Sequence, residues 1–327
     1  MDLKKKENSD MKKLQYNNCR VVKCLVSTTA ANVDKRPDMG AFLVDTGNDD
    51  EICGVGLISE NKMQEILPNA YIEKRIVINS FDKAVMDAVY TSWCDRGDRA
   101  SMTCDISIRE IFRRMIGGTN LNPGTDMRKR IKLSIFKLMN IFCLLNVSAD
   151  LPRVIENLGL TEKMGKTGTG ARIYGHLLEG RFTDIDGKNG VVLEAITLTE
   201  CPLLYQYAEA MQHIIGVEDE WLILPYSYNE KLIGIRDYLI GYIKSIKHRK
   251  EDSNQWVGYQ TIFQGAGFPW SENAGTRSKN RAFVNKILDY YKCQELIWDY
   301  EVSDDLRQIC IKLESEKAEK KKGKKKK

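Results

Sequence analysis

The sequence predicts an α+β fold composed of two tandem winged-helix domains, preceded by a small β-rich N-terminal region. Two observations lead to this prediction. A basic amphipathic helix occurs twice, and the segments around each copy recur in one order at a separation of about 150 residues. Each copy is followed by β-rich runs of the kind that form a hairpin, or wing. A repeat of this length indicates a duplicated domain rather than a solenoid.

The first basic helix is predicted over Thr125–Asn140, with an apolar pattern that continues to about Leu145. Its apolar residues recur at helical spacing and define one face. Cations crowd the remaining arc: Arg128, Lys129, Arg130, Lys132 and Lys137. A helix that buries one face and carries cations on the other suits the phosphates and base edges of a nucleic acid. The simpler interpretation of such a helix alone is a solvated basic face.

The second basic helix lies in the segment GTRSKNRAFVNKILD, Gly275 to Asp289. The two helices align cation to cation: Arg128 with Arg277, Arg130 with Lys279, Lys132 with Arg281 and Lys137 with Lys286. Apolar positions align as well, and two upstream segments recur: IREIF resembles YQTIF, and VMDAV resembles IRDYL. The repetition strengthens the nucleic-acid interpretation, because a chance basic face has no reason to recur in the same surroundings.

Composition limits the function classes. The 327 residues leave room for two or three domains, and a hydrophobic content of 43% is sufficient for packed cores. No membrane span or signal peptide is recognisable, so we expect a cytoplasmic protein associated with the nucleoid or a plasmid. Nine irregularly spaced cysteines without a Cys-x-x-Cys, and only three histidines, predict reduced thiols and no metal site. The net charge of +5 depends on the lysine-rich C-terminal tail, so cations elsewhere matter through clustering.

The predicted organisation follows the chain in six parts: a flexible charged N-terminus (1–18), a β-rich region (19–80), the first winged-helix domain (81–200), a connecting helix and linker (201–228), the second winged-helix domain (229–313) and a disordered lysine-rich tail (314–327). The β-rich region is predicted from short runs that include Val21–Val26, Ala41–Val44 and Ile52–Leu57.

Each domain is predicted to contain three helices and a wing. In the first domain, Ser80 is the expected N-cap of the opening helix, Ile106–Ile116 forms the second helix, and the runs Gly170–Asp184 and Val191–Leu198 flank an Asp-Gly turn. In the second domain the helices are predicted at Asn229–Ile246, Trp256–Gln264 and Thr276–Cys293, followed by the strands LIWDYEV and LRQICIKL.

Two short motifs suggest enzymes but lack the remainder of the required pattern. FLVDTG, around Asp45, resembles the catalytic loop of aspartic proteases, but that chemistry needs a second carboxylate from a matching motif, which is absent. GLTEKMGKT, Gly159 to Thr167, resembles a phosphate-binding loop but has one residue too many before Gly-Lys-Thr and no strand leading into it. The sequence therefore predicts a protein that is not an enzyme and uses no cofactor.

Three segments resemble plasmid replication initiators built from two winged-helix domains: SFDKAVMDAVYTSW (Ser80–Trp93), SIFKLMNI (Ser134–Ile141) and CPLLYQYAEAMQHI (Cys201–Ile214). The similarity extends from Ile76 to Leu313. It implies a non-catalytic initiator of a plasmid or integrated mobile element that binds repeated origin sites on double-stranded DNA. It also implies homodimerisation through the first domain and recruitment of host replication proteins.

The expected DNA-binding residues lie on the two basic helices and the first wing: Arg277, Ser278, Lys279, Asn280, Arg281 and Lys286; Arg128, Lys129, Arg130 and Lys132; Arg172 and Lys188. Two other functions are compatible with the same pattern. One is a winged-helix transcriptional regulator, and the other is a non-catalytic scaffold that binds proteins.

Overall fold

The computed structural model describes residues 13–18, 22–23, 26, 41–44, 52–57, 78–96, 103–118, 120–146, 172–187, 190–225, 228–246 and 256–313. Within them lie eight helices: α1 Ser80–Arg96, α2 Ile108–Met115, α3 Thr125–Asn140, α4 Leu203–Ala210, α5 Asp219–Leu222, α6 Glu230–Ile246, α7 Tyr259–Gly265 and α8 Ala274–Cys293. The strands of the same residues are β1 Leu14–Asn17, β2 Ala41–Val44, β3 Ile52–Leu57, β4 Cys104–Ser107, β5 Ile141–Asn146, β6 Arg172–His176, β7 Gly180–Gly187, β8 Gly190–Leu198, β9 Ile214–Val217, β10 Trp256–Gly258, β11 Asp299–Val302 and β12 Gln308–Lys312. The fold is mixed, with helices and small antiparallel sheets, as expected for the α+β class.

The described elements of the two repeats follow one order, except that β5 and β6 lie between α3 and β7 in the first repeat. In the first, α1, β4, α2 and α3 are followed by a sheet of order β4-β8-β7; in the second, α6, β10, α7 and α8 are followed by a sheet of order β10-β12-β11. In both, the strand that precedes the second helix pairs antiparallel with the last strand. The paired strands β11 and β12 lie within the runs predicted for the second hairpin. For the first hairpin, the predicted run Gly170–Asp184 divides into β6, which pairs with β5 in another sheet, and β7, which pairs with β8.

The sequence did not anticipate β4 and β10. The predicted helices include Ile106 and Ser107 of β4 and all of β10, but they begin instead at Ile108 and Tyr259. Ser107 explains the later start of α2, because its side chain accepts a hydrogen bond from the backbone N–H of Glu110 at 3.2 Å, which caps the helix at that point.

The basic helix α3 spans Thr125–Asn140, as predicted, but the apolar pattern that continues to about Leu145 is not helical. The apolar run that follows forms β5, the third strand of a four-stranded antiparallel sheet of order β2-β3-β5-β6. A short apolar run is compatible with either a helix or a strand, and here pairing with β3 and β6 decides for the strand.

The N-terminal segment corrects two further predictions. Leu14–Asn17 was assigned to a flexible lead, but it forms β1, which pairs antiparallel with β9 and buries Leu14, Tyr16 and Asn17. Val22, Lys23 and Val26 lie in helical rather than extended backbone. The prediction of strands at Ala41–Val44 and Ile52–Leu57 is confirmed.

Helix α1 is the centre of the molecule, since every residue from Ser80 to Ser92 is buried. Its N-cap is Asn79 rather than the predicted Ser80. Asn79 Oδ1 accepts from the N–H of Asp82 at 3.0 Å, and Asp82 Oδ2 accepts from the N–H of Asn79 at 2.9 Å. This reciprocal capping box satisfies two backbone donors at a helix end that water does not reach.

The opening helices of the two repeats, α1 and α6, pack against each other. At Gly234 of α6, an added Cβ would lie 2.5 Å from the Phe268 ring and 3.2 Å from the backbone nitrogen of Phe81, so only glycine permits this approach. The end of the second repeat's α7 is also joined to α1, because Ser80 N–H donates to the carbonyl of Ala266 at 3.0 Å. The two repeats are therefore held by direct contacts between their helices.

A buried ion cluster of Lys83, Asp87 and Asp237 lies where α1 meets α6. Lys83 Nζ is 2.7 Å from Asp87 Oδ2 and 3.4 Å from Asp237 Oδ2, and all three side chains are at most 3% exposed. Burial raises the pKa of Asp237 to about 6, although the nearby Lys83 charge opposes that shift. Strand β1 covers the cluster, with Lys83 Nζ 3.3 Å from the Tyr16 ring centroid and the Tyr16 hydroxyl donating to the Asp237 carbonyl at 3.0 Å.

Candidate nucleic-acid interface

The N-terminal half of α8 projects cations into solvent. Asn273 caps the helix, accepting at Oδ1 from the Thr276 N–H at 3.1 Å. Ser278 and Lys279 are exposed, and Arg277 is half-buried. In the following turns the exposed positions are Ala282, Lys286 and Asp289, and Arg281 is half-buried beside them. The exposed face therefore runs along most of the helix.

The opposite face of α8 is anchored in the core through Val284, Ile287, Leu288 and Tyr291. The Tyr291 hydroxyl donates to the Trp221 carbonyl at 2.9 Å, and the Tyr259 hydroxyl donates to Asn285 Oδ1 at 2.6 Å. Two hydroxyls therefore fix the helix about its own axis, which determines the side on which Arg277 and Lys279 emerge.

The sequence predicts Asn280 as a base contact, but in the structure this residue is 2% exposed and faces the protein. Its Oδ1 accepts from Lys231 Nζ of α6 at 2.9 Å, and its Nδ2 has no acceptor among the described residues. The repeat contained the signal for this, since Asn280 aligns with Ile131, a fully buried residue of α3. A buried amide side chain contributes to the packing and position of its helix rather than to recognition of a base.

Helix α3 exposes its cations only in the first turns. Arg128, Lys129 and Arg130 are exposed, but every residue from Ile131 to Asn140 is buried or half-buried. Strand β7 contributes to this cover, because the rings of Phe136 and Phe182 lie with centroids 5.0 Å apart. The first basic helix therefore presents a shorter solvent-facing surface than α8.

Acidic neighbours also neutralise part of the α3 charge. Lys132 forms an ion pair with Asp184 of β7 and lies 3.7 Å from Glu194 of β8. Arg130 Nη1 lies 3.4 Å from Glu230 Oε2 of α6. Among the described residues, Arg277, Lys279 and Arg281 of α8 make no comparable ion pair with a carboxylate. These three α8 side chains therefore keep their charge available for an incoming phosphate, whereas Lys132 and Arg130 of α3 share theirs with carboxylates.

The predicted wing contacts are described only in part. Arg172 lies in β6, outside the β7–β8 hairpin, and its side chain is not among the described atoms. Lys188 follows β7 in the sequence and lies outside the described residues, as do Asp45, the segment 159–167 and the tail from residue 314. The contribution of Lys188 and the tail remains a prediction.

Arg307 is a cation that the sequence reasoning missed. It lies in the turn between β11 and β12 with its side chain 84% exposed, and Arg307 Nε is 3.6 Å from Asp305 Oδ2. The turn is held by the Ser303 hydroxyl, which donates to Asp305 Oδ1 at 2.7 Å and accepts from the Gln308 N–H at 3.0 Å. The signal was a cation directly after the Ser-Asp-Asp turn of the predicted second hairpin.

Solved structures that are similar to this chain include two of RctB. Both contain domains 2 and 3 of RctB. The selenomethionine derivative aligns with a TM-score of 0.43 and 13% identity over 84% of this chain and 91% of that chain. The RctB fragment 155–483 aligns with a TM-score of 0.35 and 13% identity over 71% of this chain and 81% of that chain. No family model and no curated protein matches the sequence. Scores and identities this low do not transfer a function.

The described part of the chain contains no helix with both the length and the apolar character of a bilayer span. Within the same residues, no three or more His, Cys, Asp or Glu side chains lie together in a group that could hold a metal ion. Among these residues, the candidate functional groups are the cations of α3, of α8 and of the turn between β11 and β12.

Proposed function

We propose that this chain is a sequence-specific double-stranded DNA-binding protein with two winged-helix domains, and that it initiates replication of a plasmid or integrated mobile element. In this proposal it acts by binding and not by catalysis, without a metal or cofactor. It works in the cytoplasm on repeated origin sites and recruits host replication proteins.

The observation that carries the proposal is the group of cations in the leading turns of α8, where Arg277, Lys279 and Arg281 form no ion pair with a carboxylate among the described residues. Arg277 and Arg281 are four residues apart and therefore neighbours on one side of the helix, with Ser278 and Lys279 at its exposed surface. Arginine donates bidentately to guanine, lysine contacts guanine or phosphate, and a serine hydroxyl adapts to several bases. A helix with these groups in its leading turns suits the major groove.

The order of elements in each repeat supports the winged-helix part of the proposal. A three-helix unit with a basic third helix, followed by a hairpin, is the helix-turn-helix plan with a wing added. In the second repeat the hairpin turn carries the exposed Arg307, a suitable phosphate contact beside the groove that α8 would enter.

The proposal includes a homodimer formed through the first repeat. Phe142 and Tyr174 are exposed on its four-stranded sheet, and their ring centroids are 6.3 Å apart. Exposed paired aromatics are typical of interface centres. Sedimentation velocity of the full chain, with and without DNA, would measure the association state.

Selection of bound duplexes from a random pool, followed by footprinting, tests the function directly. An initiator is expected to enrich a site that occurs as direct repeats in its replicon. A single palindrome near a promoter would favour a transcriptional regulator, and no enrichment would favour a protein-binding scaffold. The matched control is the full chain with Arg277→Ala and Arg281→Ala, which should enrich the site weakly or not at all.

A further inference from the structure

Two adjacent residues at the start of α6 contact different basic helices. Glu230 Oε2 lies 3.4 Å from Arg130 Nη1 of α3, whereas Lys231 Nζ donates to Asn280 Oδ1 of α8 at 2.9 Å. A single helical turn of the second repeat therefore contacts both surfaces that carry the exposed cations.

This turn is itself held in place. Asn229 Oδ1 accepts from the Leu232 N–H at 2.9 Å, which caps α6. Glu230 Oε1 accepts from Asn79 Nδ2 at 3.1 Å, and Asn79 is the residue that caps α1. The carboxylate of Glu230 thereby connects α1, α3 and α6, the three helices where the two repeats meet.

Lys231 is suited to positioning rather than to contact with solvent. Its Nζ lies 4.8 Å from the centroid of the Phe263 ring, and burial lowers its pKa. Its partner Asn280 is buried one helical turn from Arg277 and directly before Arg281. Moving this contact would rotate or shift the turns of α8 that carry the exposed cations.

We infer that Glu230 and Lys231 couple the two basic helices and thereby set the spacing between the two parts of one composite DNA site. The inference rests on the proposed DNA-binding function. One base pair more between the two parts would displace one of them by about 3.4 Å and rotate it by about 35°. A rigid coupling cannot follow that change, whereas a loosened one can.

The first experiment needs no DNA. At the exposed positions Asp126 of α3 and Ala282 of α8, an unnatural amino acid that carries a ketone would replace the native residue. Spin labels that react with the ketone would not modify the exposed thiols of Cys94 and Cys293. Pulsed dipolar spectroscopy on the full chain is expected to give one narrow distance distribution. In the double variant Glu230→Gln, Lys231→Met the distribution should become roughly twice as wide, because both contacts to the basic helices are lost. An unchanged width overturns the coupling.

The matched control is a second lysine–glutamate combination, formed by Lys244 of α6 and Glu218, the residue before α5. Lys244 Nζ lies 3.2 Å from Glu218 Oε2 and 4.8 Å from the centroid of the Trp221 ring, a setting similar to that of Lys231, but it contacts neither basic helix. The double variant Glu218→Gln, Lys244→Met should leave the distance distribution narrow. Broadening by the control as much as by the test variant would also overturn the coupling.

The second experiment measures binding to the selected site and to versions with one base pair inserted or deleted between its two parts. Wild type should lose about tenfold in affinity or more on either change, and the Glu230→Gln, Lys231→Met variant should lose about threefold or less. An equal spacing penalty in both proteins overturns the coupling. If wild type binds no DNA, the proposed function fails, and the spectroscopic result alone decides the coupling. If the double variant does not fold, the distance distribution and the spacing penalty are measured on the single variant Glu230→Gln, which changes a partly exposed position.

Discussion

Asp87 and Asp237 occupy equivalent positions in the two repeats, and both lie against the same ammonium group. Lys83 Nζ is 2.7 Å from Asp87 Oδ2 and 3.4 Å from Asp237 Oδ2, so the two copies meet around one buried cation. The Tyr205 hydroxyl also donates to Asp87, and Tyr16 of β1 covers Lys83. The duplicated carboxylate thus forms part of the contact between the repeats.

Replacing Lys83 by Met is expected to destabilise the protein strongly. The substitution leaves Asp87 and Asp237 buried without their cation, and uncompensated buried charges typically cost about 3–5 kcal/mol. Urea unfolding of the full chain at pH 7 would measure the loss. The control is Lys292→Ala, which breaks the exposed pair with Asp299 and should cost less than about 1 kcal/mol. Equal losses in the two variants would contradict the prediction.

The free energy of unfolding should carry a pH-dependent contribution from Asp237. Burial raises the folded-state pKa of Asp237 to about 6, above its usual value of 3.8, so the folded state holds this proton more tightly. The stabilising contribution is complete below about pH 4, falls as pH rises to about 6 and then stays constant, with a total change of roughly 3 kcal/mol. Wild type and Asp237→Asn should be compared by urea unfolding between pH 4 and 7. The variant should gain stability relative to wild type as pH rises; parallel curves would refute the assignment.

Asn280 and Ser278 are two residues apart on α8, and replacing each by alanine should affect a different property: stability for Asn280 and DNA binding for Ser278. Asn280 is buried and bound to Lys231, so Asn280→Ala should lower the free energy of unfolding by about 1–3 kcal/mol. Ser278 is exposed, so Ser278→Ala should leave stability within about 0.5 kcal/mol and act on DNA binding alone. Thermal unfolding and binding titrations on both variants separate the two effects. A stable Asn280→Ala protein would show that the Lys231 contact contributes little.

The two basic helices should make different contributions to DNA binding. Arg277→Ala and Arg281→Ala should each cost about 1–3 kcal/mol and relax the base preference, because α8 has the longer exposed face. Arg128→Ala and Arg130→Ala should weaken binding to all sequences and flatten its salt dependence, as expected for phosphate contacts. Titrations of both double variants on specific and scrambled duplexes at several salt concentrations would measure this. The assignment fails if the Arg128/Arg130 variant loses discrimination and the Arg277/Arg281 variant keeps it.

Deletion of Glu316–Lys327 should weaken DNA binding without changing the preferred sequence. The segment carries eight lysines, which attract phosphates whatever the base sequence, and salt screens that attraction. Affinities of the full and shortened chains should therefore converge as salt rises. A control chain in which the same lysines are replaced by glutamine should behave like the deletion. A changed preferred site in either chain would assign the tail a part in base recognition.

The order of the basic helices and the position of the second hairpin could be predicted from the sequence. These properties are local or periodic: apolar spacing along Ile131, Ile135 and Leu138 marks a helix whatever it packs against. The basic character of α3 and α8 was evident for the same reason. Arg128, Lys129, Lys279 and Ser278 are exposed, and their contact with DNA stays a prediction.

Tertiary structure decided which of the predicted cations can meet a ligand. Lys132 faces Asp184 and Glu194, which lie far from it in sequence, and Asn280 is turned to Lys231 of another helix. It also decided that Leu14–Asn17 is a buried strand, because its partner β9 lies about 200 residues away along the chain. The periodicity of a segment depends only on its own sequence. Burial, charge pairing and strand pairing depend on which distant segment lies beside it, and that is determined only when the chain folds.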